Sequence, residues 1–424
     1  MIAPMSPGRT PASRFIFVTC GKRDFYQVPL ALAEEGLLER LVTDIYTPQR
    51  LRRFLPRYFA SRFMPGIPFA RARTSMLMSI TNLVLGRLGL NTETLNFRLS
   101  AKIARASARS AQETGQALYC YHEYVPDDVP DDLPLIIFAY HPPNAYDRAL
   151  VDADLRDSFG SRALERTSAA APRRHSDHLD FSRADAVVCA SSFTRESLIA
   201  HGCSPEIITV IPYGCPPALA DAPVESTGIA SADKLQDGEV RFLFVGQGVV
   251  RKGLHHLIRA WNEWRRQTSI PARLTIVASH LDPWIAEIPR DPSIELLGYQ
   301  SREALEAAFA ANPVFIMPSL IEGFGLVYVE ALAHGCHVIG TRNSGLPDLD
   351  LGPEEVTYVA PGNPADIIAA LEQTARRVRE RPFDRAAIRA AGLRWTQADF
   401  RRAIADHARS VLDATRGFPR EPAE

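Results

Sequence analysis

Two carboxylates, Glu322 and Glu330, lie in the run Pro318-Ser-Leu-Ile-Glu-Gly-Phe-Gly-Leu-Val-Tyr-Val-Glu330, directly after the apolar stretch Val314–Met317. The spacing predicts a buried strand ending at Pro318, a short loop, and a helix starting near Gly325. Gly323 and Gly325 let backbone N–H groups approach a ligand, and a helix N-terminus favours an oxygen-rich, negative group. Two carboxylates beside such an anion site would repel phosphate alone, but they can accept hydrogen bonds from hydroxyls. A ligand offering both phosphates and many hydroxyls fits the pattern. A second strand-to-loop unit, Val245-Gly-Gln-Gly-Val-Val-Arg-Lys-Gly253, brings Arg251 and Lys252 to the start of a helix, where two cations suit a diphosphate. Lysine is scarce here, with four (Lys22, Lys102, Lys234, Lys252) beside 44 arginines, so Lys252 marks a place for a compact ammonium. A third loop, Arg342 to Asp348, follows the strand-like HVIG, so three features converge on one sheet edge. In the first half, Gly21 follows the strand RFIFVT and can lie against a diphosphate from the other side, with Lys22 or Arg23 adding charge or merely sitting in an exposed loop. His141 ends the strand LIIFAY and projects from its carboxyl end into a cleft. Asp152-Ala-Asp154 has the form of a metal-binding DxD, but its polar setting, VDADLRDSFG, reads as surface.

These residues need elements to hold them. Near-continuous apolar runs at 14–19, 135–140, 186–190 and 207–212, and again at 240–245, 273–278, 294–297, 314–317 and 337–340, alternate with helical patterns. That is the signature of parallel sheets covered on both faces. The expected organisation is α/β: a tail over 1–13, a Rossmann-like unit over 14–215, a connection over 216–238 rich in Ala, Pro, Ser and Asp, a second Rossmann-like unit over 239–385, a helical segment over 386–416 and a tail over 417–424. Ligands of such sheets bind at the strands' carboxyl ends, so the natural site is the cleft between the units. Residues 50–110 carry 12 Arg/Lys and one acid, Glu93. They read as a basic helical insertion, either a solvated surface or a face for anionic lipid or an anionic acceptor.

The 424 residues carry a formal net charge of -1, which excludes polyanion binding by bulk electrostatics, and no nucleic-acid motif is present. No stretch is apolar enough for a spanning helix, and the first residues lack a secretory h-region. Six scattered cysteines without CxxC read as buried thiols of a reducing cytoplasm. The close pairs His175/His178 and His334/His337 lack the partners of a zinc site, and no metal is expected.

The matching segments PSLIEGFGLVYVEALAHG (318–335), VGQGVVRKG (245–253) and NSGLPD (343–348), with ADAVVCASSFTRESLIAHG (184–202) and ITVIPYG (208–214), resemble a family 4 retaining glycosyltransferase of the two-domain GT-B type. The resemblance covers about 184–380; the first half matches mainly in layout. It implies a nucleoside diphosphate sugar donor, a saccharide or glycolipid acceptor and no cofactor or metal. It further implies that Glu322 lies by the transferred sugar's hydroxyls, that Glu330 holds ribose hydroxyls, and that Gly323, Phe324, Gly325 and Leu326 supply backbone contacts to sugar and phosphate. Lys252 neutralises the diphosphate, His141 stands near the anomeric centre, and Ser319 belongs to the same donor-binding loop. The family commonly has Arg five residues before that Lys; here the position is Gln247, and Arg251 can substitute in part. The hinge reads Tyr213-Gly214 where Asn-Gly is usual. The expected place of action is cytoplasmic, at the membrane's inner face if residues 50–110 touch it. Two other readings stay open: a weakly catalytic nucleotide-sugar-binding subunit of a partner transferase, for which Gln247 speaks, and a pyridoxal phosphate phosphorylase, for which Lys252 would be the only Schiff-base lysine in the second unit.

Overall fold

A computed structural model describes residues 12–75, 93–170, 181–220 and 238–416. Most of the expected N-terminal tail, the apolar part of the 50–110 segment from 76 to 92, the His175/His178 pair, most of the expected connection and the C-terminal tail lie outside the described residues.

The first unit holds β1 (Phe15–Val18), α1 (Gln27–Glu34), β2 (Leu38–Thr43), β3 (Ala72–Thr74), α2 (Glu93–Glu113), β4 (Ala117–Tyr121), β5 (Leu135–Ala139), α3 (Asn144–Phe159), α4 (Ser161–Ala170), β6 (Ala186–Cys189), α5 (Ser192–Ala200) and β7 (Ile208–Val210). The second holds β8 (Val240–Val245), α6 (Leu254–Gln267), β9 (Ala272–Val277), β10 (Ile294–Leu297), α7 (Arg302–Ala311), β11 (Val314–Met317), α8 (Leu326–Ala333), β12 (His337–Gly340), β13 (Val356–Tyr358), α9 (Pro364–Glu380) and α10 (Arg385–Gly392), and α11 (Gln397–Arg416) follows. The strands form two sheets in the orders β3-β2-β1-β4-β5-β6-β7 and β10-β9-β8-β11-β12-β13. All pairings are parallel.

The central strands β1, β4, β5, β6 and β11 are buried along their whole length. Helices therefore cover both faces, which is why these strands read as continuous apolar runs. In the first sheet, rings from neighbouring strands meet edge to face, Phe17 against Tyr119 and Tyr121, and Tyr121 against Phe138. The basic segment is not an insertion throughout. Its Ala72–Thr74 supplies the edge strand β3, and α2 is a crossover helix whose Ala101, Ile103, Ala104, Ala108 and Ala111 face inward.

The last helix departs from the expected order of units. α11 leaves the second unit and packs on the first, where Phe400, Ile404, Ala408, Val411 and Leu412 join the core around β1, β4 and β5. Arg401 pairs with Glu34, and Arg409 with Glu35. The chain thus crosses between the units twice, and the two crossings run side by side. Cys215 N–H donates to the Trp395 carbonyl and Gln397 N–H to the Cys215 carbonyl, both at 2.9 Å. A Cβ on Gly214 would lie 2.0 Å from the Thr396 carbonyl oxygen, so only glycine fits this crossing.

Candidate active site

The site is assembled by two strand-to-helix loops of the second sheet and the carboxyl ends of β5 and β6 in the first. After β8, Val250–Lys252 forms one tight turn and Gly253 takes a left-handed φ of 68° to start α6. A Cβ on Gly253 would sit 2.0 Å from the Pro318 carbonyl oxygen, so glycine there lets the β8 loop press against the β11 loop. The Leu320 N–H donates to the Arg251 carbonyl at 2.9 Å and locks the two loops together.

This contact places two cations on one carboxylate. Glu322 Oε1 accepts from Lys252 Nζ at 2.5 Å, Arg251 Nη1 at 3.0 Å and Ser319 Oγ at 3.3 Å. Glu322 is 5% exposed. Burial pushes its carboxyl up, but Lys252, Arg251 and the Lys252 hydrogen bond outweigh that and hold it down at about 2. It is therefore ionised at neutral pH. Burial and the neighbouring Arg251 lower the Lys252 ammonium, while Glu322 resists the shift. All three of these contacts fall on Oε1. Arg251 also feels the Asp147 carboxylate, so the two cations are shared between Glu322 and a second acid on the first unit.

The first unit closes over this cluster. A Cβ on Gly323 would lie 1.9 Å from the Tyr140 carbonyl oxygen and 3.0 Å from His141 Cα. The Gly323 carbonyl accepts from Ser191 Oγ at 2.6 Å and Thr194 Oγ1 at 3.1 Å, and Asp348 accepts from the Ser192 N–H and hydroxyl. His141 is half-buried. Burial and Arg251 push its imidazole down to about 3, against the pull of Glu322, so it is neutral at physiological pH.

The sequence-predicted residues divide accordingly. Glu322, Lys252, Arg251, Ser319, Gly323 and His141 come together. Ser319, expected to touch the donor, is fully buried and spends its hydroxyl on Glu322, so it positions that carboxylate. Gly325 starts α8 with φ 88°. The Phe324 ring packs against Tyr213 and within the first unit's core, with Leu326 beside it, so these side chains join the units. Gln247 is exposed at the tip of the β8 loop. Glu330 lies in the second turn of α8, and its charged neighbour is Arg302; burial raises its carboxyl. Gly21 takes φ 87° and donates its N–H to Asp44 Oδ1 at 2.7 Å. Arg23 stacks 3.6 Å from the Tyr140 ring, beside the cleft.

Asp154 is not the surface residue its polar context suggests. Its carboxylate accepts from His255 Nε2 at 2.7 Å and His256 Nε2 at 2.6 Å, across the units. Burial would raise its pKa, but the two imidazoles hold it well below the usual range. These three groups could gather around a cation. Yet the Nδ1 atoms of both histidines are buried with no partner among the described residues. A ligating imidazole ordinarily passes that second N–H to an acceptor. The trio works as a hydrogen-bonded clasp that seats α3 on the Arg251–Lys252 turn, where Leu155, Val250 and Leu320 share a small core. The sequence reading overlooked His255 and His256 because their partner is about 100 residues away.

Residues 239–377 match the family described as Glycosyl transferases group 1. The chain is 27% identical over 203 residues to O-antigen chain mannosyltransferase B of Escherichia coli, covering 45% of this chain and 48% of that protein. It is 30% identical over 186 residues to D-inositol 3-phosphate glycosyltransferase of Pseudarthrobacter chlorophenolicus, covering 41% and 44%. The aligned part thus spans about half the length, or less, of the curated relatives. Among solved structures, Anabaena HepE in complex with UDP and glucose superposes with a TM-score of 0.56 at 14% identity, over 94% of this chain and 100% of that one. The N-terminal domain of Candida albicans trehalose-6-phosphate phosphatase superposes with a TM-score of 0.62 at 12% identity, over 97% and 99%. The architecture is the GT-B fold.

Proposed function

Starting from a second unit that matches the group 1 glycosyltransferases, we propose that the whole chain is a retaining, metal-independent glycosyltransferase. It moves a sugar from a nucleoside diphosphate sugar to an acceptor hydroxyl, in polysaccharide or glycolipid synthesis. The observation that carries this reading is the buried Glu322 held by Lys252 and Arg251 opposite His141. Lys252 and Arg251 face the diphosphate, and stabilising its developing charge as the glycosidic bond breaks lowers the barrier without a metal. Glu322 Oε2 accepts from a hydroxyl of the transferred sugar. Capped by two cations, Glu322 is a poor nucleophile, which favours departure and attack on one face, with the leaving phosphate taking the acceptor's proton. Neutral His141 borders the anomeric centre as a hydrogen-bonding wall. Glu330 binds ribose hydroxyls from its place on α8.

The acceptor binds on the first unit. Leu51, Phe54, Leu55, Tyr58 and Phe69 stand exposed there, with Phe54 70% exposed, among basic residues. This is the composition of a surface that rests on anionic lipid at the membrane's inner, cytoplasmic face.

Thermal shifts against UDP, GDP and ADP sugars identify the donor, and transfer is then assayed with it. Glu322→Gln and Lys252→Ala are expected to fold and to lose at least about 100-fold in kcat, the size of removing one charge-stabilising group. Full activity in both variants would sink the assignment.

A further inference from the structure

From Ile45 to Thr92 the sequence has eight arginines and no Asp or Glu. Part of that charge is folded into one place, where β1 and β2 end. The Thr47 N–H donates to the Arg62 carbonyl at 2.7 Å, which brings residue 62 back beside the strands. Arg52 Nε donates to the Ala60 carbonyl at 2.9 Å, so Arg52 stands on the same turn. A Cβ on Gly21 would lie 3.4 Å from Arg62 Nη1, and Lys22 is the next residue. Burial lowers the Lys22 ammonium, and Arg52 and then Arg62 lower it further, as cations facing one space do.

Little negative charge answers them. Asp44 stands 3.6 Å from Arg62 Nη2, beyond a good hydrogen bond, and already accepts from the Gly21 N–H and the Thr43 hydroxyl. Arg62 Nη2 also donates to the Tyr58 hydroxyl at 2.9 Å, while Nη1 is buried with no hydrogen-bond partner among the described residues. Lys22 lies over the Phe25 ring and Arg52 over the Phe63 ring. Neither pairs with a carboxylate among the described residues. Three cations thus share one carboxylate, leaving about two charges unbalanced, with Arg62 and Lys22 partly desolvated and Arg52 exposed at the rim. Such an arrangement is costly unless an anion completes it.

We propose that Lys22, Arg52 and Arg62 form a seat for a phosphate dianion carried by the acceptor. Guanidinium forks match phosphate oxygens, and the ammonium adds a point charge. The strand order argues for the acceptor over the donor. β5, which leads into His141 two residues past its end, is separated from β1 by β4, and β2 lies one strand further. At ~4.8 Å per strand the seat is about 10–14 Å from His141 along the sheet edge. The donor's diphosphate has Arg251 and Lys252 on the other unit. The assignment of the phosphate to an acceptor rests on the transferase reading; the binding of phosphate does not.

The test uses the full chain with UDP at saturation, titrated with inorganic phosphate at fixed ionic strength and read by the unfolding temperature. Phosphate is expected to bind with UDP already present. The double variant Lys22→Gln/Arg52→Gln should weaken phosphate about tenfold or more and leave UDP affinity unchanged. Arg73→Gln, an exposed arginine of the same acid-free stretch on β3, should change neither. A phosphate effect that vanishes once UDP is bound would give these cations to the donor and overturn the proposal. An effect untouched by the double variant, or equally reduced by Arg73→Gln, would overturn it too. Sedimentation with phosphatidylcholine vesicles, with and without phosphatidic acid, separates the sources. Capture that needs phosphatidic acid and fails only in the double variant assigns a lipid phosphate, and phosphate binding without such capture assigns a soluble one. Failure to bind UDP would instead count against the transferase reading and leave the phosphate result standing.

Discussion

Glu322 shows how one side chain can be both structural and reactive. Its pKa is about 2 in the folded chain against an ordinary value of 4.5. A carboxylate depressed in this way contributes stability that is whole above pH 4.5 and lost as pH falls through 2, on the order of 3 kcal/mol. Urea unfolding at stepped pH should therefore show wild type losing stability more steeply than Glu322→Gln between about pH 4.5 and 2. Equal slopes would mean that Lys252 and Arg251 do not hold the charge in solution. At this scale the sequence was readable where a rare residue type met a glycine: Lys252, one of four lysines, stands beside Gly253. Ser319 was misread because nothing in its spacing says whether a hydroxyl faces a ligand or the carboxylate three residues on. The bond from the Gly21 N–H to Asp44 was hidden for the same reason, since Asp44 is brought to it only by the pairing of β1 with β2.

Elements place the charges, and their junctions tolerate little change. Gly253 combines a left-handed φ with contact to the Pro318 carbonyl, so Gly253→Ala should push the β8 loop off the β11 loop and move Lys252 from Glu322. Activity is expected to fall at least about tenfold with every charged residue intact, because sub-ångström placement of such groups sets the rate. A crystal structure of an active Gly253→Ala chain with the 2.5 Å pair unchanged would contradict this. The apolar runs identified β1, β5, β6 and β11 because burial on both faces leaves no room for polar residues. β4, although buried throughout, escaped that reading, as did β2, β3 and β13. β2 is fully buried only at Leu38, Leu41 and Thr43, with charged Glu39 and Arg40 between, and β3 has three residues at the sheet edge with Arg73 exposed. The clasp between Asp154 and the two histidines was equally invisible, since two acids near one another carry no signal until α3 is laid on α6. Its effect is to make a helix of the first unit part of the support for the cationic turn of the second.

At the scale of the whole molecule, the division of the chain at residue 385 is not the division of the packing. Removing residues 397–424 should uncover the first unit's core where Phe400, Ile404, Val411 and Leu412 now cover it. At ~1.5–3 kcal/mol for each large apolar side chain, the truncated chain should aggregate, seen as loss of the monomer peak in size exclusion. A soluble monomer with native circular dichroism would show that α11 is an accessory. The sequence displayed α11 as an amphipathic helix but not its destination, because its apolar stripe is compatible with either core. The paired crossings at Gly214 and Thr396 have a mechanical result. A single tether would let the two halves swing and twist in any direction. Two parallel segments tied by a single bridge of two backbone hydrogen bonds resist torsion and shear more than one tether does, and leave bending about one axis as the soft mode. Any separation of the halves that admits a donor is then steered along one track, so that on return Gly323 meets the Tyr140 carbonyl in the same register each time.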